Sequence, residues 1–117
     1  MTDKDKKYYQ RRYEDFVWTL EQCGVFLTEE DDITIGNCIF ENFDIGVRSA
    51  LSDVVLEMLK DNFMICEEIS VKCVELRNKT VGIFDRDELR NINAVKNAAA
   101  WREVLELSDE IKSMLYY

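Results

Sequence analysis

The 117-residue chain contains no proline and no histidine, and its only glycines stand at positions 24, 36, 46 and 82. Without proline nothing obliges a helix to stop, and a proline-rich linker is excluded. Without histidine the commonest general acid and base is gone, together with the Ser-His and Cys-His nucleophile pairs and the zinc sites built on imidazole. The scattered glycines assemble neither GxGxxG nor a P-loop, so nucleotide binding through either motif is excluded. Long apolar runs are also missing. No stretch reaches the roughly 18 to 20 residues that a membrane-spanning helix needs, and the opening MTDKDKKYYQRRYEDF lacks the apolar stretch of a signal peptide. The resulting expectation is a cytoplasmic protein with no membrane partner.

Positive charge is absent from one long region. No Lys or Arg occurs from Glu14 through Gly46, and residues 14 to 32 carry seven acids, Glu14, Asp15, Glu21, Glu29, Glu30, Asp31 and Asp32. The last four are consecutive, in LTEEDDITIG. The whole chain has a net charge of −9, from 24 acids against 15 bases. Nucleic-acid binding of the ordinary kind depends on Lys and Arg neutralising phosphates and releasing counterions, so this balance argues against it and toward a basic partner. One cluster points the other way: Tyr8, Tyr9 and Tyr13 beside Arg11 and Arg12 resemble a stacking platform for single strands, but a single helical turn is a small platform. Tyr9 and Tyr13 are expected to face the core with Tyr8 at the rim.

What is present reads as helix. A 47% hydrophobic content and this length suit one folded domain, residues 1–117, with a core of its own. Tyr9, Tyr13, Phe16, Val17 and Leu20 recur at helical spacing over Lys4 to about Gln22, with Gly24 as a stop. The start of this helix, with Lys4, Lys6, Lys7, Arg11 and Arg12 against Asp3 and Asp5, is basic and its end acidic, the reverse of what the macrodipole favours.

The segment Ile33–Ile45 reads as helix or irregular, with Ile33, Asn37, Phe40 and Phe43 on one face, although Gly36-Asn37 could turn a short hairpin. Val47, Leu51, Val54, Val55, Met58, Leu59 and Phe63 form a stripe that predicts one helix from Asp44 to about Phe63. Ile65, Cys66, Ile69, Cys73, Val74 and Leu76 predict another, against a competing hairpin of Ile69–Cys73 with Val81–Phe84. Asp85 and Glu88 have the spacing of a capping box, Phe84 can staple on Leu89, and an unbroken helix of roughly 30 residues, about 45 Å, is expected from there to the C-terminus. Ala98-Ala99-Ala100 beside Trp101 suggests a close crossing with the indole in a neighbouring groove, and Tyr116-Tyr117 either pack or stand free. The fold class is therefore mainly α, a single-domain antiparallel helical bundle with room for one short β-hairpin.

Candidate chemistry is sparse. Asp31 to Asn42 places Gly36 at the sixth position of a calcium loop, but Ile33 and Ile35 stand where oxygen ligands are needed and Asn42 replaces the bidentate Glu. Asp85-x-Asp87 is better read as a cap than as a divalent-metal pair. Cys23, Cys38, Cys66 and Cys73 form no CxxC and read as small buried hydrophobes in a reducing compartment. No cofactor, metal or catalytic residue is assigned, and the chain is not expected to be an enzyme.

The acidic region is then the feature with functional content. It fits a small protein that inhibits or neutralises a basic nuclease or other nucleic-acid-processing partner by occlusion, as immunity proteins, antitoxins and phage-encoded anti-CRISPR-like inhibitors do, with carboxylates standing where phosphates otherwise lie. The expected contact residues are Asp15, Glu21, Glu29, Glu30, Asp31 and Asp32. The competing expectation is a helical regulatory or structural module that self-associates as a homodimer, with no inhibitory role, its acids serving solubility.

Overall fold

The computed structural model describes residues 2–115, and every regular element among them is helical. Helix α1 (Asp3–Glu21) opens with a capping box in which the Thr2 hydroxyl accepts the Asp5 N–H at 3.1 Å and the Asp5 carboxylate accepts the Thr2 N–H. A 3-10 turn (Val25–Glu29) leads to α2 (Asp32–Ile35), which runs on through a π-helical segment (Gly36–Phe43) into α3 (Asp44–Ser49). After α4 (Asp53–Asp61) and α5 (Glu67–Phe84) come a 3-10 turn (Asp87–Leu89), α6 (Ile92–Asn97) and α7 (Ala99–Leu115). Tyr116 and Tyr117 lie outside the described residues.

Neither of the competing hairpins is found among the described residues, and both segments are helical. In α5 the buried residues Ile69, Cys73, Leu76, Thr80 and Ile83 step by three and four, while Val71 points outward. Ile33 and Asn37 were expected on the buried face of their segment but are exposed; Ile35, Ile39, Phe43 and Val47 are the fully buried set. These four are spaced by fours. In a uniform α-helix three such steps would drift by roughly 120° around the axis, and the wider π turns between Gly36 and Phe43 take up that drift and keep the stripe on the core.

Two predicted long helices are broken by single capping residues. Asp44 to Phe63 divides at Ser52, whose hydroxyl accepts the Val55 N–H and starts α4, so that Val54 faces solvent. Asp85 does not open the last helix but ends α5. The start falls to Asn91, whose side chain accepts the Ala94 N–H at 2.8 Å, and the extended backbone of Ala98 separates α6 from α7.

One core joins all the elements, with Phe16, Leu20, Ile39, Leu59, Leu76, Trp101 and Leu105 fully or almost fully out of water. Each such side chain contributes about 1.5 to 3 kcal/mol on leaving water. Trp101 is buried at the start of α7, as the adjacent alanines suggested; its indole N–H donates to the Leu89 carbonyl at 2.7 Å, and its ring meets Phe84 and Phe40 edge-on. The cysteines divide. Cys23 and Cys73 are buried and burial pushes each thiol up to about 12. Cys38 is half-buried, and Cys66, expected inside, is exposed at the N-cap of α5.

The end of α1 is held by α7. Ser108 Oγ donates to the carbonyls of Leu20 and Cys23, Lys112 Nζ donates to the Cys23 carbonyl at 2.7 Å, and Asp109 accepts the Val25 N–H at 3.0 Å. The last turn of α1 has no base of its own. Lys112 therefore supplies, from another helix, the cation that the C-terminal dipole lacks, and Asp3 and Asp5 supply the acids at the other end. The charge arrangement that looked unfavourable along the sequence is compensated in three dimensions.

Candidate functional site

Seen along the chain, residues 14 to 46 carry Glu14, Asp15, Glu21, Glu29, Glu30, Asp31, Asp32, Glu41 and Asp44, with no base among them. α1 holds the first three, the turn and the start of α2 hold the next four, and the π segment and α3 hold the last two. Glu21, Glu29, Glu30 and Glu41 are exposed, and none of these four makes an ion pair among the described residues.

Glu14 is likewise exposed without an ion pair among the described residues, accepting only a long bond from Gln10 at 3.5 Å, whereas the other four acids have local work. Asp31 is the N-cap of α2, its Oδ1 accepting the Thr34 N–H at 2.8 Å, and this bond, with a weaker pull from Lys96, holds its carboxyl below the ordinary aspartate value of 3.8. Asp32 pairs with Lys96 at 3.7 Å, and Asp44 pairs with Arg48 at 3.1 Å. Asp15 lies 4.0 Å from Arg12. Of the six acids singled out from the sequence, Glu21, Glu29 and Glu30 are thus unopposed, Asp15 and Asp32 have loose cationic neighbours, and Asp31 is a structural cap as well as an exposed charge.

The stretch Asp31–Asn42 forms no calcium loop. It is helical from Asp32 onward, Gly36 has ordinary right-handed helical angles, and the Asn42 side-chain amide donates to Gln22 at 3.0 Å. Among the described residues no three His, Cys, Asp or Glu side chains come together as a metal site.

A groove not foreseen from the sequence lies between α1 and α3. Gly46 allows the two helices to touch, since a Cβ there would collide with the Thr19 side chain. Beside this contact Trp18, Thr19, Asn42 and Ile45 line a hollow of about 200 Å³, with Arg12 and Asp15 at its edge. Trp18 is 48% exposed and Ile45 69% exposed. A half-exposed indole in a hollow edged by Arg12 and Asp15 is the composition of an interface anchor, an apolar contact with charge at its rim. Nothing local in the sequence marks it, because its walls come from segments more than twenty residues apart.

At the basic end of α1 the Arg12 guanidinium lies over the Tyr8 ring at 5.2 Å, Tyr13 packs on Phe16, and Tyr9 is half-buried. Arg12 is thereby turned back onto its own helix.

Compared with protein-family models, with curated proteins and with solved structures, the chain matches none.

Proposed function

We propose that this protein is a small acidic binding protein that inhibits or neutralises a basic, nucleic-acid-processing partner by occlusion, in the manner of immunity proteins, antitoxins and anti-CRISPR-like inhibitors. It acts in the cytoplasm as a binder rather than an enzyme, on a single helical domain read as an antiparallel bundle. The observation that carries this reading is the run from Glu14 to Gly46 without a base, on which Glu21, Glu29, Glu30 and Glu41 are exposed and make no ion pair among the described residues. Charges already satisfied inside a protein contribute little field outside it, whereas these raise the encounter rate with a cationic cleft and repel nucleic acid and acidic competitors. The Trp18–Ile45 groove supports the reading by offering an apolar anchor within the same field.

The test is to recover the partner from the source cells with the tagged chain, identify it, and measure both its nucleic-acid-processing activity and its association kinetics. The expected partner is basic, loses activity on binding, and associates more slowly as salt is raised. An acidic partner, or a basic one whose activity is untouched, contradicts the reading.

A further inference from the structure

Among the described residues Phe63 alone, glycines aside, has a left-handed backbone, with φ 60°, and its side chain is 96% exposed. The Met64 N–H bonds to the Leu59 carbonyl at 2.9 Å and the Phe63 N–H to the Lys60 carbonyl at 3.0 Å. These are the paired bonds of a Schellman helix end, in which glycine ordinarily occupies the place of Phe63 because a Cβ is strained there. A large aromatic side chain thus stands where glycine would be less strained, and it gains no burial in return. Packing within the chain accounts for neither choice, and a strained, exposed residue of this kind points to a use outside the fold.

Beside the protruding ring is a hollow of about 340 Å³, lined by Tyr13, Met64, Ile69, Met114 and Leu115. A knob and an apolar hollow adjoining on one surface are what a two-fold contact needs, because each copy then supplies what the other receives. Charge selects the same corner. Copies of a chain at −9 repel one another over most of their surface. Here, however, Lys6 borders the corner across a smaller hollow shared with Tyr9, Asn62 and Met64, and Lys4, Lys6, Lys7 and Arg11 make no ion pair among the described residues. Asp61, two residues before Phe63, and Glu68, two residues after the hollow-lining Cys66, are exposed and also make no ion pair among the described residues, while Glu67 pairs with Lys60. A contact between two copies at Phe63 therefore brings exposed charges of both signs from each copy to one interface.

We propose that a second copy of this chain covers this corner, through an isologous contact in which Phe63 of each copy enters the apolar hollow of the other. None of the acids proposed to meet the partner lines either hollow at this corner, so the contact stands or falls independently of that partner.

Sedimentation velocity of the full chain tests it, from about 1 µM to about 500 µM, the span over which a small apolar contact is formed or lost. The expected result is a monomer passing to a closed dimer. Phe63→Gly should remain monomeric throughout, yet melt about 3 to 6 °C higher than the wild type when both are compared as monomers at low concentration, because the backbone strain is relieved. Lys6→Glu, which sets like charges against each other at the rim, should weaken the dimer about tenfold while leaving the monomer's melting temperature unchanged. A wild type that stays monomeric over the whole span overturns the proposal and leaves the corner to a different occupant. So does a Phe63→Gly chain that dimerises as well as the wild type, or a growth to open-ended oligomers in place of a dimer.

Discussion

The turn that follows α1 ends in Glu29 and Glu30, and α7 brings Ser108, Asp109 and Lys112 to the end of α1, but the two groups are used differently. Ser108, Asp109 and Lys112 turn inward onto the carbonyls of Leu20 and Cys23 and the N–H of Val25. Glu29 and Glu30 turn outward and meet no cation among the described residues. The difference separates charge that holds the fold from charge that is free to meet something else. A carboxylate or ammonium already bonded to orphaned helix-end groups cannot be withdrawn without exposing them, whereas an unpaired surface carboxylate can be changed at little structural cost.

The sharpest way to break the comparison is at Lys112. Lys112→Met keeps the aliphatic stem but removes the charge-assisted bond to the Cys23 carbonyl, and should destabilise the protein by about 1.5 to 3 kcal/mol in urea titration. A loss no larger than that of an exposed lysine would mean that α7 does not anchor the end of α1.

A smaller effect is expected at the cysteines. Cys73→Ala should cost about 1 kcal/mol through lost packing, whereas Cys66→Ala should stay within about 0.5 kcal/mol because its thiol is exposed. In the native protein at pH 8, alkylation should mark Cys66 rapidly and leave Cys23 and Cys73 unmodified, since burial holds both of those thiols protonated with values near 12. Fast labelling of Cys73 under native conditions would contradict the packing of α5.

Asp31 sits between the two kinds of charge and should show the smallest change. Its carboxyl is depressed by the Thr34 N–H bond, so its contribution is fully present above the unfolded aspartate value of 3.8 and is lost as pH falls through the lower folded value. Asp31→Asn retains a capping oxygen and should remove this acid-side dependence while changing stability little at pH 7; Asp31→Ala should lower the melting temperature at pH 7. A stability profile below pH 4 that is identical in wild type and Asp31→Asn would show that the cap bond is not formed.

How much of this was legible in the sequence follows from the range of each interaction. Helices were legible because apolar periodicity is repeated many times over, as in α5 and α7. Their breaks were not, because Ser52 and Asn91 each end a long periodic pattern with one side-chain bond, and Asp85-x-x-Glu88 had the form of a start while α5 was still running to Phe84. Phe63 gave no warning, since the left-handed end of α4 is ordinarily announced by glycine or asparagine. The acidic region was legible because it is continuous along the chain. Its division into capping, paired and free carboxylates was not, because Lys96 reaches Asp32 from an element more than sixty residues away. The groove beside Trp18 depends on the contact of Gly46 with Thr19, a tertiary fact with no local signature.

The central claim is that the unpaired carboxylates between α1 and α3 serve an encounter and not the fold. Glu21, Glu29, Glu30 and Glu41 replaced together by Lys test it most directly, with Asp31 left in place as the cap. The most informative measurement is the association rate constant of this variant and of the wild type with the recovered partner at low and physiological salt, alongside their melting temperatures. The account predicts a fold stable to within about 0.5 kcal/mol per substitution, and an association rate that falls by about 10- to 1,000-fold at low salt, with the gap narrowing as salt is added. An unchanged rate and unchanged salt dependence in a folded variant would contradict it, leaving the four carboxylates as solvated surface.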